Sequence, residues 1–305
     1  MNKNTFIGIS ALLVAGLIWG MAFAAQKTGM KYLTPELFTC LRSFIGTAAL
    51  LCLIVPLSVI KHEKILPESK RSRKDLLAGG SWCGVVLAMA STTQQYGLIY
   101  STAGKAGFIT TLYIVLVPLA GMFFGQKAAK LHWLAVALAV AGSYLLCSPA
   151  AGSIDKGDIW LFACAALFTC HILVIGYYAP KNDCIKMSCI QFFVAGIITG
   201  VAAVIKKDAV SVELLEDCAV PLLYCGIGSS GIAFTLQMIS QKYIAGGTAS
   251  ILMSMESVFA VVGGFFILGE RLTCRELVGC AVILAAVVIA QLKFENKKSD
   301  TGCSC

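Results

Sequence analysis

Apolar stretches, each about the length of a bilayer-crossing helix, run along the whole chain, and charges collect in the short breaks between them. The stretches fall at 6–26, 35–60, 76–99, 103–125, 131–148, 158–179, 186–205, 218–241, 245–269 and 274–292. A run of about 20 mostly apolar residues crosses the hydrocarbon core as a helix. In lipid the backbone must satisfy its own hydrogen bonds, and the alternation of barrel strands is missing. The pattern therefore predicts an all-α polytopic membrane protein with ten transmembrane helices. The longest polar connection, Lys61 to Asp75, reads as a loop, and no linker or soluble domain is expected.

The first stretch has two readings. Lys3 precedes an apolar run, and Ala22-Phe23-Ala24 has the small residues of a signal-peptide cleavage site. The internal repeat described below uses the same segment, which favours its retention as helix 1.

Charge placement sets the expected topology. With ten helices and a cytoplasmic N-terminus, fifteen basic residues fall inside: Lys3, Lys61, Lys64, Lys70, Arg71, Arg73, Lys74, Lys127, Lys130, Lys181, Lys186, Lys242, Lys293, Lys297 and Lys298. Seven fall outside: Lys27, Lys31, Lys156, Lys206, Lys207, Arg271 and Arg275. The positive-inside rule then predicts a multi-pass protein of the cytoplasmic membrane with both termini in the cytoplasm. The net charge of +8 does not point to nucleic acid, because its densest cluster is juxtamembrane.

Composition agrees with the pattern. Of 305 residues 58% are hydrophobic and 13% charged, against about a quarter charged in an average soluble domain. Most of the 14 cysteines lie in apolar stretches, Cys40, Cys52, Cys83 and Cys147 among them, where a thiol acts as a small buried apolar group. There is no CxxC pair or metal-ligand spacing, so neither a metal nor a cofactor is expected. Cys303-Ser304-Cys305 reads as a free end, with lipidation or metal binding as the alternative.

The two halves overlay. Gly16–Phe44 aligns with Ala165–Phe193 at an offset of 149, pairing Cys40 with Cys189 and Phe44 with Phe193. At an offset of 143, Gln94 pairs with Gln237, Tyr100 with Tyr243, Gly121 with Gly264 and Phe123 with Phe266. The offset changes at the long second loop, where an insertion is tolerated. Five helices per repeat, at 6–148 and 158–292, would make the second half enter the membrane upside down. Inverted repeats are a recurring transporter architecture, with the substrate site between them near the bilayer midplane.

Three segments carry a family resemblance. They are Leu17-Ile18-Trp19-Gly20; Ser101-Thr102-Ala103-Gly104-Lys105-Ala106-Gly107-Phe108-Ile109-Thr110 with Leu116-Val117-Pro118; and Ser254-Met255-Glu256-Ser257-Val258-Phe259-Ala260 with Leu268-Gly269-Glu270-Arg271-Leu272. The chain resembles the EamA-type transporters of the drug/metabolite transporter superfamily over nearly its whole length. The resemblance implies a central cavity lined mainly by helices 1, 3, 4, 6, 8 and 9, and leaves the substrate open. One departure is Glu256-Ser257, where Glu-Pro is common in the family; its loss is expected to stiffen helix 9.

The polar groups inside apolar stretches each have a functional and a plain reading. A mid-helix carboxylate at Glu256 costs about 2.5–3.5 kcal/mol on insertion scales for a central Asp, so a proton, a cation or a partner must neutralise it. It is either a substrate-amine or proton-coupling group, or a hydrogen-bonded link between helices. Lys105 either faces Glu256 or a substrate carboxylate, or snorkels to the headgroups. Arg42, whose repeat mate is Gln191, reads as a tie to loop carbonyls or a neighbouring helix. Gln94 and Gln237 are either symmetry-related substrate contacts or interhelical hydrogen bonds of about 0.6 kcal/mol each, and Gln95 and Gln241 read likewise. His171 is a proton relay or a hydrogen-bonded core residue. Trp19 and Tyr113 are cavity walls or ordinary packing. Glu270 and Arg271 read as a terminal ion pair. Gly226, Gly228 and Gly231, like Gly246-Gly247 and Gly263-Gly264, permit close helix packing or hinging.

The sequence-level expectation is a secondary transporter, not an enzyme, moving a small polar or amphipathic metabolite, an amino acid, amine or drug-like molecule, with protons as a candidate coupling ion. No GxxxxGK[ST] motif is present, so gradients rather than ATP would drive it. The alternative is a membrane-embedded enzyme or lipid-handling protein using His171 and Glu256. Oligomeric state is left open.

Overall fold

The computed structural model describes residues 3–62, 64–101, 103–123, 125, 130–147, 156–208, 210–268 and 273–296. Every regular element among them is helical. Helices α1 (Lys3–Gly29), α2 (Pro35–Ile60) and α3 (Lys70–Tyr100) are continuous. Helix α4 is built of Ala103–Thr111 and Tyr113–Phe123, and α5 spans Lys130–Cys147. Helices α6 (Lys156–Tyr178) and α7 (Cys184–Lys206) follow. Helix α8 comprises Ala219–Leu223, a π-helical stretch Tyr224–Ala233 and Phe234–Gln241. Helix α9 comprises Gly246–Met253 and Met255–Leu268, and α10 spans Cys274–Asn296. Eight of these are long and apolar enough to cross a membrane; Lys130–Leu146 and Gly246–Val262 are apolar but shorter. The Glu270–Arg271 pair and the Cys303–Cys305 end lie outside the described residues.

Local chemistry sets the helix starts. Thr34 caps α2, its Oγ1 accepting from the Leu37 amide at 3.3 Å, with Pro35 pre-set for the first turn. Asp183 caps α7 by accepting from the Ile185 and Lys186 amides, both at 3.0 Å. These two caps are 149 positions apart, the offset of the first half of the repeat.

The outer surface is apolar. Val59, Val204 and Phe123 are 67%, 77% and 91% exposed, among many such side chains on the flanks of α2, α4 and α7. A chain folded in water rarely leaves so much contiguous apolar surface uncovered, whereas lipid tails cover it at no cost. Polar side chains instead sit inside: Gln26, Arg42, Gln95, His171, Gln191 and Glu256 are all buried.

Helices pack in related pairs. α2 lies along α7, where the repeat mates Phe44 and Phe193 meet edge-on with ring centroids 6.3 Å apart. α5 lies along α10 through Gly142 and Gly279; a Cβ on either would lie 3.0 Å from the other's carbonyl oxygen. α3 packs against α6 and α7, and α1 against α8 and α9. Small residues are what let backbones approach this closely without a hydrophobic drive between helices.

Candidate functional site

A cavity opens between α1, α2, α3, α4, α6, α8 and α9. Five of the seven residues expected at a substrate site line it: Trp19, Gln94, Tyr113, Gln237 and Glu256. Its walls follow the repeat. Trp19 and Phe168, and Phe23 and Ile172, are mates at an offset of 149; Gln94 and Gln237, Thr110 and Met253, and Tyr113 and Glu256 are mates at 143.

Two helices break where they reach this cavity. In α4 the Leu112 amide turns back to the Ile109 carbonyl at 3.2 Å, and that of Val115 to Leu112 at 3.0 Å. In α9 the Ser254 amide bonds to Ile251 at 3.2 Å, and that of Ser257 to Ser254 at 3.1 Å. These tightened turns directly precede Tyr113 and Glu256. The expected stiffening of α9 by Ser257 is therefore not seen as an unbroken helix: Ser254 supplies the break, its Oγ bonding the Ile251 carbonyl at 2.6 Å. Irregular backbone is tolerated in a membrane where it lines a cavity.

Glu256 is 6% exposed, and its Oε1 accepts from Thr111 and Tyr113 hydroxyls at 3.4 and 3.5 Å. Both contacts are long, so the carboxyl keeps much of its hydrogen-bonding capacity. Gly20 positions it: a Cβ there would lie 2.6 Å from the Glu256 carbonyl oxygen and 2.8 Å from the Ala260 nitrogen. α1 thus rests on the backbone of α9 at the residue that bears the buried carboxyl.

Aromatic rings close one side. Phe234 is met edge-on by Trp19 at 5.0 Å, His171 at 5.8 Å and Phe192 at 5.6 Å between centroids. Gln237 donates to Gln241 Oε1 at 3.2 Å, and Gln241 donates to the Ile172 carbonyl at 2.9 Å. The Oε1 of Gln237 has no partner among the described residues.

The structure places two of the expected site residues elsewhere. Lys105 pairs with Asp158 of α6 at 2.7 Å rather than with Glu256 or a cavity ligand. Its helix neighbour supplies the counter-charge, so the long side chain stays at the bundle end. His171 is fully buried, bonded through Nε2 to Gln191 Oε1 at 2.7 Å and screened from the cavity by Phe168 and Phe234. At the same bundle end as Lys105, Glu36 Oε1 accepts from Tyr96 and from Lys206, both at 2.6 Å, tying α2, α3 and α7 together.

Sequence reasoning missed Gln26 and gave Arg42 a tying role only. Arg42 does tie to a neighbouring helix, donating from Nη1 to Gln26 Oε1 at 3.2 Å, and it also lines the cavity. Its place seven residues inside an apolar stretch, away from either end, was the available signal.

Comparisons with known proteins agree with this architecture. The model of the EamA-like transporter family matches residues 6–148 and 155–291. An uncharacterized transporter of Archaeoglobus fulgidus is 30% identical over 95% of this chain and 87% of its own length. The uncharacterized inner membrane transporter YedA of Escherichia coli is 22% identical over 92% of this chain and 90% of its own. A crystal structure superposes with a TM-score of 0.75 at 18% identity, covering 95% of this chain and 96% of that one, which speaks to fold alone. The chain belongs to the EamA-like transporter family. It is a multi-pass membrane transporter and not an enzyme.

Proposed function

We propose that this chain is a secondary carrier of the cytoplasmic membrane, moving a small polar or amphipathic metabolite by alternating access between two inverted five-helix halves. Ten spans, with both termini in the cytoplasm, form the halves at 6–148 and 158–292. Glu256 is the central polar group, exchanging a proton or a substrate amine, and Gln94, Gln237, Trp19 and Tyr113 frame the substrate. The observation that carries this reading is that repeat mates line a single cavity. A duplicated unit placed in opposite orientations has two nearly equivalent arrangements, one open to each side. The paired breaks at Leu112 and Ser254 supply flexible points in both halves.

The alternative of an embedded enzyme using His171 and Glu256 as acid and base has less support, because His171 is held by Gln191 while Glu256 faces the cavity. The test is flux from sealed proteoliposomes loaded with a metabolite library. The carrier reading expects compounds to cross chemically unchanged and to accumulate against a gradient when a pH difference is imposed. Recovery of altered molecules, or equal leakage from protein-free vesicles, would retire it.

A further inference from the structure

Arg42 is 3% exposed, lies within a membrane helix and lines the cavity. One nitrogen donates to Gln26 Oε1, which also accepts from Gln95 Nε2 at 2.5 Å, so the guanidinium is braced from α1 and α3. Among the described residues its Nε has no hydrogen-bond partner. Among the described residues no carboxylate pairs with it: Glu36 holds Lys206, Asp158 holds Lys105, and Glu256 meets only hydroxyls. The titratable groups that interact with it are the thiols of Cys225 and Cys164.

A guanidinium keeps its charge in any protein setting, and a buried charge without a counter-ion is costly. Neutral amides brace the group without cancelling it. The planar fork of donors suits a carboxylate or phosphate. Two features favour the monoanion: Glu256 faces the same cavity and would repel a second negative charge, and the walls around Trp19 and Phe168 are aromatic. The repeat does not double the site, since the mate Gln191 is uncharged and bonded to His171.

We infer that Arg42, braced by Gln26, anchors the carboxylate of the transported molecule, so that the substrates are small carboxylate-bearing metabolites with an apolar body. This rests on the carrier reading above. Glu256 then receives a hydrogen-bond donor at the other end of the substrate.

The test is uptake by proteoliposomes of the full chain from a library in which carboxylates are matched with carboxamides, such as L-phenylalanine with L-phenylalaninamide and phenylacetate with phenylacetamide, alongside phosphate monoesters. Transported compounds are expected to carry a carboxylate, with the matched amide at least about tenfold slower, as loss of a charge-assisted pair implies. Arg42→Gln is expected to bring the acid down to the amide's rate, and Arg42→Lys to restore part of it. Amides moving as fast as acids, phosphate monoesters moving in place of carboxylates, or Arg42→Gln carrying acids at the unmutated rate would overturn the assignment. If Arg42→Gln does not insert, the acid-to-amide ratio of the unmutated chain decides. Transport confined to compounds lacking a carboxylate removes this inference and leaves the carrier reading standing; no flux of any compound removes both.

Discussion

Glu256→Gln is expected to insert and fold like the unmutated chain, yet to lower substrate flux about tenfold or more and to flatten its dependence on pH. Glutamine keeps the shape of the side chain and can still accept from Thr111 and Tyr113. What it loses is the ability to exchange a proton or to pair with a substrate cation. At about 1.4 kcal/mol per factor of ten, the loss of one charge-assisted hydrogen bond accounts for such a drop. Flux measured in proteoliposomes at several pH values, beside the protein's elution profile in detergent, separates loss of function from loss of fold. Unaltered flux with an unaltered pH profile would remove Glu256 from the mechanism.

The second large effect is on assembly. Gly20→Ala is expected to destabilise the helix bundle by about 1–3 kcal/mol, as overpacking of a tight contact does. The new methyl would press on the Glu256 carbonyl oxygen and the Ala260 nitrogen, both main-chain atoms that cannot rotate away. Gly176→Ala is the control, because a Cβ there meets only the Gln241 Nε2 at an ordinary 3.7 Å. Thermal unfolding in detergent should show a lowered midpoint for Gly20→Ala and a near-native one for Gly176→Ala. Equal midpoints would mean that α1 and α9 are not in close contact.

Much of the fold was readable because lipid imposes so strict a rule. Only helices satisfy the backbone in hydrocarbon, so long apolar runs map onto helices with little ambiguity. α1, predicted from 6, begins at Lys3 and ends at Gly29, and α3, predicted from 76, begins at Lys70. Those extensions carry Lys3, Lys27 and the run Lys70–Asp75, polar residues for which hydropathy gives no helix signal but helix propensity persists. The breaks at Leu112 and Ser254 were hidden, since neither proline nor glycine marks them and the Thr and Ser residues beside them also occur within unbroken helices. The π-helical turn of α8 was visible only as a cluster of glycines at 226, 228 and 231.

The site was readable where the repeat spoke and obscure where it did not. Gln94 and Gln237 were paired by offset, and both reach the cavity. Lys105 could not be placed, because its partner Asp158 lies in another helix and no pattern along the chain says that α4 and α6 adjoin. His171 and Glu256 look alike in sequence, each a titratable group in an apolar run. Only packing distinguishes the one sealed behind Phe234 from the one facing open space. Arg42 shows the same difficulty: a lone cation in a helix does not declare which face it occupies.

The central claim is that two oppositely oriented halves enclose the cavity, and single cysteines at repeat-mate positions test it most directly. Tyr32 and Lys181 are mates, 149 positions apart, in the turns that precede α2 and α7. In intact cells an impermeant maleimide should label Tyr32→Cys and spare Lys181→Cys beyond the background of the parent chain; after the membrane is opened, both should react. Labelling of both from the same side of a sealed membrane would mean that the halves run the same way, and the alternating-access mechanism would fall with them.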